Sequence, residues 1–345
     1  MKADLERISL PLSEPLVGAS ATIDERRLML VCLEAEHGLV GWGEAAPLEP
    51  FDGVSDEQCL AALEFQIAAL RASPAGASGA ELLDSARRAD PLPQALAAID
   101  TALWDLAGQR EGAPLASLLA AEPLARVPVN AVIGADEPES AAAQARAAVG
   151  AGFTTIKVKV GGGGGDVERL EAIRVAIGPK VAIRIDANGA WSVAQAVEAL
   201  AALEPFGIEL VEEPVTGLEQ IEELRSLVET PISIDETAAD DGALASGASA
   251  LVCLKLARAG GVSGLLAQAA LARSSGTEVY LASMLDGPIG IAAALHAAAA
   301  LRLTIPSGLA TLDRFDGLDG GLLAPSDGAI TVPLGPGLGV GPAEA

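Results

Sequence analysis

Thr154-Thr155-Ile156-Lys157-Val158-Lys159-Val160 is a short β-branched run with a lysine at alternate positions near its end. In a strand the side chains alternate, so Lys157 and Lys159 share a face with Thr155, while Ile156, Val158 and Val160 share the other. Two ammonium groups on one face of an apolar strand are costly to bury without compensating carboxylates or a ligand. A solvated edge strand is the bland alternative.

The sequence downstream decides between the two. Val181 to Ile185, Ile208 to Val211, Ile232 to Ile234, Leu251 to Leu254 and Glu278 to Ala282 read as strands, separated by helical stretches such as Val167 to Ile177, Val193 to Leu203 and Leu218 to Leu227. Alternation of this kind predicts βαβ units and a parallel sheet. With Val127 to Ile133 and the lysine strand there are seven strands, and Leu301 to Ile305 or Leu309 to Leu312 supplies an eighth. The count favours a TIM-like (β/α)7–8 barrel over an open sheet.

Residues 4 to 46 read instead as antiparallel strands, followed by helices from Ser55 towards Leu70 and from Pro93 to Gly108. Strands followed by a block of helices predict an N-terminal α+β capping domain. The expected division of this α/β chain is therefore 1–125 for the cap, 126–314 for the barrel, and a tail of about 315–345 that returns to pack on the cap. That tail carries a late strand at Ala329 to Val332.

Charged residues recur where the barrel strands end. Lys159 is followed at one-unit intervals by Asp186, Glu212, Asp235 and Lys255. Strand ends of a parallel barrel open to one face, so the five should converge. Asp186 and Asp235 taken singly also suit helix N-caps, but that reading leaves Lys159, Glu212 and Lys255 in step with them unexplained. Three converging carboxylates call for a cation, and an all-oxygen set suits a hard ion, Mg²⁺ or Mn²⁺ in its place. A lysine beside a cation and a second ammonium has its pKa lowered, which makes Lys159 a base for a carbon-bound proton.

At these residues the sequence resembles a known family. K-V-K at 157 to 159, D-A-N-G-A-W at 186 to 191, V-E-E-P at 211 to 214, I-D-E-T at 234 to 237 and L-K-L-A-R-A-G-G at 254 to 261 are similar, in order and spacing, to the muconate-lactonizing subgroup of the enolase superfamily. The resemblance spans nearly the whole chain. It implies metal ligands Asp186, Glu212 and Asp235, acid/base residues Lys159 and Lys255 on opposite sides of a small carboxylate substrate, and Lys157 as an electrostatic helper. It further implies supporting or substrate contacts at Asn188, Glu236, Ser283 and Asp286, with Trp42 and Phe51 reaching in from the cap. Glu213 holds a position where identity matters less. The two histidines, His37 and His296, are not placed to act as the base that the mandelate-racemase branch uses.

Gly41-Trp42-Gly43-Glu44-Ala45-Ala46-Pro47-Leu48, Val127 to Ala131 and Gly308 to Thr311 are similar to segments of o-succinylbenzoate synthases. That resemblance implies dehydration on the menaquinone pathway, with Lys159 both removing the proton and assisting loss of hydroxide. The alternative is an N-acylamino acid racemase or dipeptide epimerase, and then a muconate cycloisomerase. The Asp-x-Asp by which dipeptide epimerases grip an amine is absent, since Asp313, Asp316 and Asp319 are spaced by three. Asp286 stands where Glu is commoner. A non-catalytic barrel would have lost a lysine or a carboxylate, and none is lost.

Composition sets the remaining bounds. Half of the 345 residues are hydrophobic but only 3% aromatic, so the core is aliphatic. A formal charge of −25 argues against a nucleic-acid partner. No run of about 20 apolar residues opens or interrupts the chain, and Ile289 to Leu301 reads as a buried helix. Cys32, Cys59 and Cys253 are widely spaced, which suits a reduced cytoplasmic setting, and Cys253 reads as a small core residue. Gly161 to Gly165 fits no phosphate cradle and reads as a flexible loop over the barrel mouth. A homo-oligomer is compatible with all of this.

Overall fold

A computed structural model describes residues 1–17, 22–35, 38–162, 164–318 and 320–342. His37, Gly163 and Asp319 lie outside the described residues. Two sheets and a two-stranded ladder organise the chain. Strands β1 (Lys2–Val17), β2 (Thr22–Glu34) and β3 (Val40–Ala45) form an antiparallel sheet in that order. The helix Pro93–Glu111 lies directly on β3, because Gly41 and Gly43 carry no side chain. A Cβ on either would come within 2.2 Å of Ala102 O or 1.8 Å of Ala98 O, so only glycine allows this approach. The helix Asp56–Ala72 opens with a capping box between Ser55 and Gln58. The helix Gly79–Ala89, which the sequence reading passed over, opens with the same device at Ser78 and Glu81.

After the short β4 (Arg126–Pro128) come seven parallel strands. These are β5 (Ala131–Ile133), β6 (Thr155–Lys159), β7 (Ala182–Asp186), β8 (Ile208–Glu212), β9 (Ile232–Ile234), β10 (Leu251–Leu254) and β11 (Glu278–Leu281), neighbours in chain order throughout. The sheet curls until both edges meet one segment. Val129 bridges Ser307 and Ala282 bridges Gly308, both in parallel. Neither stretch expected to hold an eighth strand forms one. The seam lies between them at two residues, where Pro306 breaks any longer run.

The tail begins after the seam. Its strand β12 (Ala329–Thr331) pairs with β4 rather than with the cap sheet. Contacts to the cap come from Phe315, which bridges Leu12, and from Leu338, whose N–H donates to Asp105.

The apolar run predicted as a buried helix is the helix Pro288–Ala300, with only its last residue partly exposed. His296 is satisfied within it. Nδ1 accepts the Ala116 N–H and Nε2 bonds the Leu338 carbonyl, both at 3.1 Å, which makes the ring a neutral Nε2–H tautomer. Burial depresses its pKa to about 4, despite the Leu338 bond. A histidine with a depressed folded pKa contributes stability above its unfolded value near 6.5 and loses it as pH falls towards 4. Urea denaturation should therefore show wild type losing about 3 kcal/mol over that window through this residue, and His296→Gln should flatten that part of the profile. No helix among the described residues is long and apolar enough to cross a membrane.

Glu44 and Arg26 join the cap to the curled sheet. The Glu44 carboxylate accepts the Gly287 N–H at 2.7 Å, at the start of the helix Pro288–Ala300. Arg26 donates to the Pro47 carbonyl at 2.8 Å and to the Leu285 carbonyl at 3.3 Å. Burial, then Asp286, pushes Glu44 up to about 8.

Candidate active site

Backbone register sets the five charged residues side by side. Lys159 pairs across the sheet with Asp186, and Asp186 with Glu212. Glu212 pairs with Ser233, two residues before Asp235 and therefore on the same face. Lys255 follows β10 directly. Around the rim the order is Lys159, Asp186, Glu212, Asp235, Lys255, one residue at or just past the end of each of five neighbouring strands.

The acids are deeply buried, with Asp186 and Glu212 each 1% exposed and Asp235 3%. Lysines neutralise them. Lys157 bridges Asp186 Oδ2 at 2.8 Å and Glu212 Oε1 at 2.7 Å. Lys159 reaches Asp186 at 2.6 Å with its side chain 46% exposed, and Lys255 pairs with Asp235. Burial alone would raise Asp186, but Lys157 and Lys159 hold it well below the usual carboxylate range. Glu212 goes the other way: burial raises it, Lys157 opposes, and Asp186 and Asp235 add to the rise. Burial would lower both Lys157 and Lys255, yet their carboxylate partners hold them above the ordinary lysine value.

Asn188 stands at φ 45°, in the left-handed region. Its side-chain oxygen accepts from Lys159 at 2.6 Å, and its amide donates to Glu236 Oε1 at 3.3 Å. Glu236 Oε2 is buried without a hydrogen-bond partner. Three neighbouring buried carboxylates, with an unpartnered Glu236 oxygen linked to them through Asn188 and Lys159, make an all-oxygen donor set. Asp186, Glu212 and Asp235 thus fit a hard divalent cation.

Other expected contacts fall elsewhere. Asp286 turns back into its own loop, accepting the Met284 N–H at 2.9 Å, while Ser283 Oγ accepts the Asp286 N–H at 2.9 Å. Aspartate, a methylene shorter than the commoner glutamate, suits this tight closure. Trp42 shares a face of β3 with Glu44, packs against the main core and bonds Asp105 through its backbone, and no hydrogen bond joins it to the five. Phe51 clusters with Leu48, Ala257 and Met284, and its carbonyl accepts from Arg258 at 2.5 Å. Arg258 also approaches Asp235 at 3.4 Å, so Phe51 is tied to the site through one arginine. In the glycine-rich loop, Asp166 accepts the Gly161 N–H at 2.9 Å and pairs with Arg169 at 2.6 Å.

Four residues were missed in sequence. Arg258 stood unremarked in L-K-L-A-R-A-G-G. Tyr280, the only tyrosine, donates its hydroxyl to Glu212 Oε2 at 2.7 Å from the penultimate position of its strand. Arg184 lies over the Tyr280 ring at 5.3 Å and donates to the Pro306 carbonyl at 2.6 Å, tying the floor to the seam. Glu213 holds a position where the resemblance implies that identity matters less, and the structure corrects this. It is 1% exposed at φ 39° and accepts the Asp235 N–H at 2.6 Å, the Thr237 N–H at 2.9 Å and the Thr237 hydroxyl at 2.5 Å. Burial raises it to about 7. Glu213→Ala should lower stability in urea by about 1–3 kcal/mol for each donor left unpaired, and Glu213→Gln by less.

Comparison with known proteins agrees with this geometry. Residues 140–345 match the enolase C-terminal domain-like family, and residues 5–120 match the N-terminal domain of mandelate racemase/muconate lactonizing enzymes. The chain belongs to this family and is an enzyme of the enolase superfamily. Among its relatives, it is 32% identical to the L-Ala-D/L-Glu epimerase of Bacillus subtilis over 99% of this chain and 96% of that one. It is 35% identical to the hydrophobic dipeptide epimerase of Enterococcus faecalis over 97% and 95%. The o-succinylbenzoate synthase of Thermobifida fusca is 41% identical, but over 54% of this chain and 60% of that one. A dipeptide epimerase from Enterococcus faecalis, solved with Mg and the dipeptide L-Leu-L-Tyr, matches with a TM-score of 0.87 at 30% identity over 98% of both chains.

These relatives favour the epimerase reading over dehydration. The segments similar to the dehydratases have structural roles here. Gly41 and Gly43 in the first segment serve helix packing, Glu44 serves the joint, and Val129 and Gly308 in the other two form the seam. All three segments thus hold residues that build the architecture.

Proposed function

We propose that the chain is a cation-dependent epimerase of dipeptides or N-acylated amino acids, acting at the carbon next to the free carboxylate. The observation that carries this is the rim order, with one lysine at each end of an arc of three acids. Full-length similarity to epimerases supports it. Asp186, Glu212 and Asp235 would hold Mg²⁺, which when bound supplies charge that steadies the substrate carboxylate as its α-proton leaves.

Lys159, the more open lysine, removes the proton from one side, and Lys255 delivers one to the other. The reverse direction exchanges these roles. In each direction the lysine that removes the proton must be neutral and the one that delivers it must carry its proton. Drawing Asp235 to a cation would remove the attraction that holds Lys255 above its ordinary pKa, and positive charge nearby lowers it further. Lys157 stays in the floor and balances Asp186.

The test is a panel of dipeptides, N-succinylamino acids, muconate and the cyclohexadiene carboxylate that o-succinylbenzoate synthases dehydrate, with Mg²⁺ and with chelator. Inversion of at least one dipeptide or acylamino acid, lost on chelation, is expected. Turnover confined to the cyclohexadiene, giving an absorbing aromatic product, would restore the dehydratase reading.

A further inference from the structure

Cys253 is two residues before Lys255, so its side chain points to the same interior face. It is 2% exposed, and its sulfur and one oxygen each from Glu212 and Asp235 all lie within 4.8 Å of one another, all three residues buried. A cysteine used as core filler faces apolar atoms, whereas this one faces two carboxylates. No hydrogen bond among the described residues engages its thiol.

We infer that Cys253 makes the floor of the acidic centre a site for a thiophilic divalent cation, such as cadmium or zinc, held by Glu212, Asp235 and Cys253. A four-coordinate ion with bonds of about 2.0–2.3 Å keeps its donors roughly 3.5 Å apart, so a small contraction of the three suffices. Hard ions gain nothing from a thiol, and soft ones select it. The sulfur is therefore idle with Mg²⁺ and becomes a ligand only for a softer metal, its proton passing to solvent as the metal–sulfur bond forms. Lys157 keeps Asp186 at 2.8 Å as a counter-ion when Glu212 turns to the cation.

The inference rests on Glu212 and Asp235 being cation ligands, as proposed above. Chelator-treated protein is titrated with cadmium chloride while near-ultraviolet absorbance is recorded. A thiolate-to-cadmium band saturating at one equivalent is expected, absent in Cys253→Ser and undiminished in Cys32→Ser/Cys59→Ser. No band, or a band that survives Cys253→Ser, overturns the inference. Should Cys253→Ser fail to fold, the double variant decides, because Cys253 is then its only thiol: the band supports the site and its loss refutes it. Magnesium binding by calorimetry on the same samples separates the two readings. Magnesium binding without a cadmium band overturns the thiol site alone. A cadmium band that excess magnesium does not weaken sustains the thiol site and counts against shared magnesium ligands.

Discussion

Lys255→Ala will stop inversion of the substrate while leaving exchange of the α-hydrogen at the epimer that Lys159 faces. In a two-base reaction each lysine serves one side, so removing one strands the proton transfer half-way. The expected loss in inversion is about 10²–10⁴-fold, the usual worth of a positioned acid/base group. Lys159→Ala should lose inversion equally and keep exchange only at the opposite epimer. Neither change should unfold the protein. Asp186 retains Lys157 at 2.8 Å when Lys159 is gone, and Asp235 retains Arg258 at 3.4 Å when Lys255 is gone. Proton NMR in D₂O on each pure epimer reads both quantities together. A one-base dehydration would give another pattern, with Lys159→Ala inactive and no label entering recovered substrate in any variant.

Lys157→Met has the largest expected effect on stability. Its ammonium is the shared counter-ion of two carboxylates that are each 1% exposed. Removing one member of such a buried set leaves uncompensated charge and costs about 3–5 kcal/mol. The loss should depend on metal. In chelator the urea midpoint of Lys157→Met should fall well below wild type. Magnesium at a fixed concentration should narrow the gap, because the variant lacks the ammonium that competes for the same acids, binds the ion more tightly and so gains more from it than wild type does. An equal gap with and without magnesium would mean that Asp186 and Glu212 do not hold the ion.

The strand series and the five charged positions were legible because each depends on local pattern. Alternation placed Lys157 and Lys159 on one face, and one-unit spacing placed Asp186, Glu212, Asp235 and Lys255 at strand ends. Seven parallel strands followed from the same periodicity. What escaped depends on contacts distant in sequence. The two-residue seam at Ser307 and Gly308 is too short to show a period, and its bridges to Val129 and Ala282 exist only once the sheet has curled. Glu213 looked redundant beside Glu212, since nothing in V-E-E-P says that a left-handed backbone turns it under Asp235. Tyr280 and Arg184 read as ordinary strand residues until the interior brought them together. The steric role of Gly41 and Gly43 under Ala102 and Ala98 likewise shows only once the helix lies on the strand.

The most direct measurement follows a dipeptide substrate of the wild-type protein in D₂O with Mg²⁺ at early times. Two bases on opposite sides predict that the product epimer carries deuterium at the α-carbon from the first turnovers, because the group that delivers hydrogen is not the one that removed it. A product epimer that keeps its original protium, or turnover that yields no epimer at all, would contradict the account.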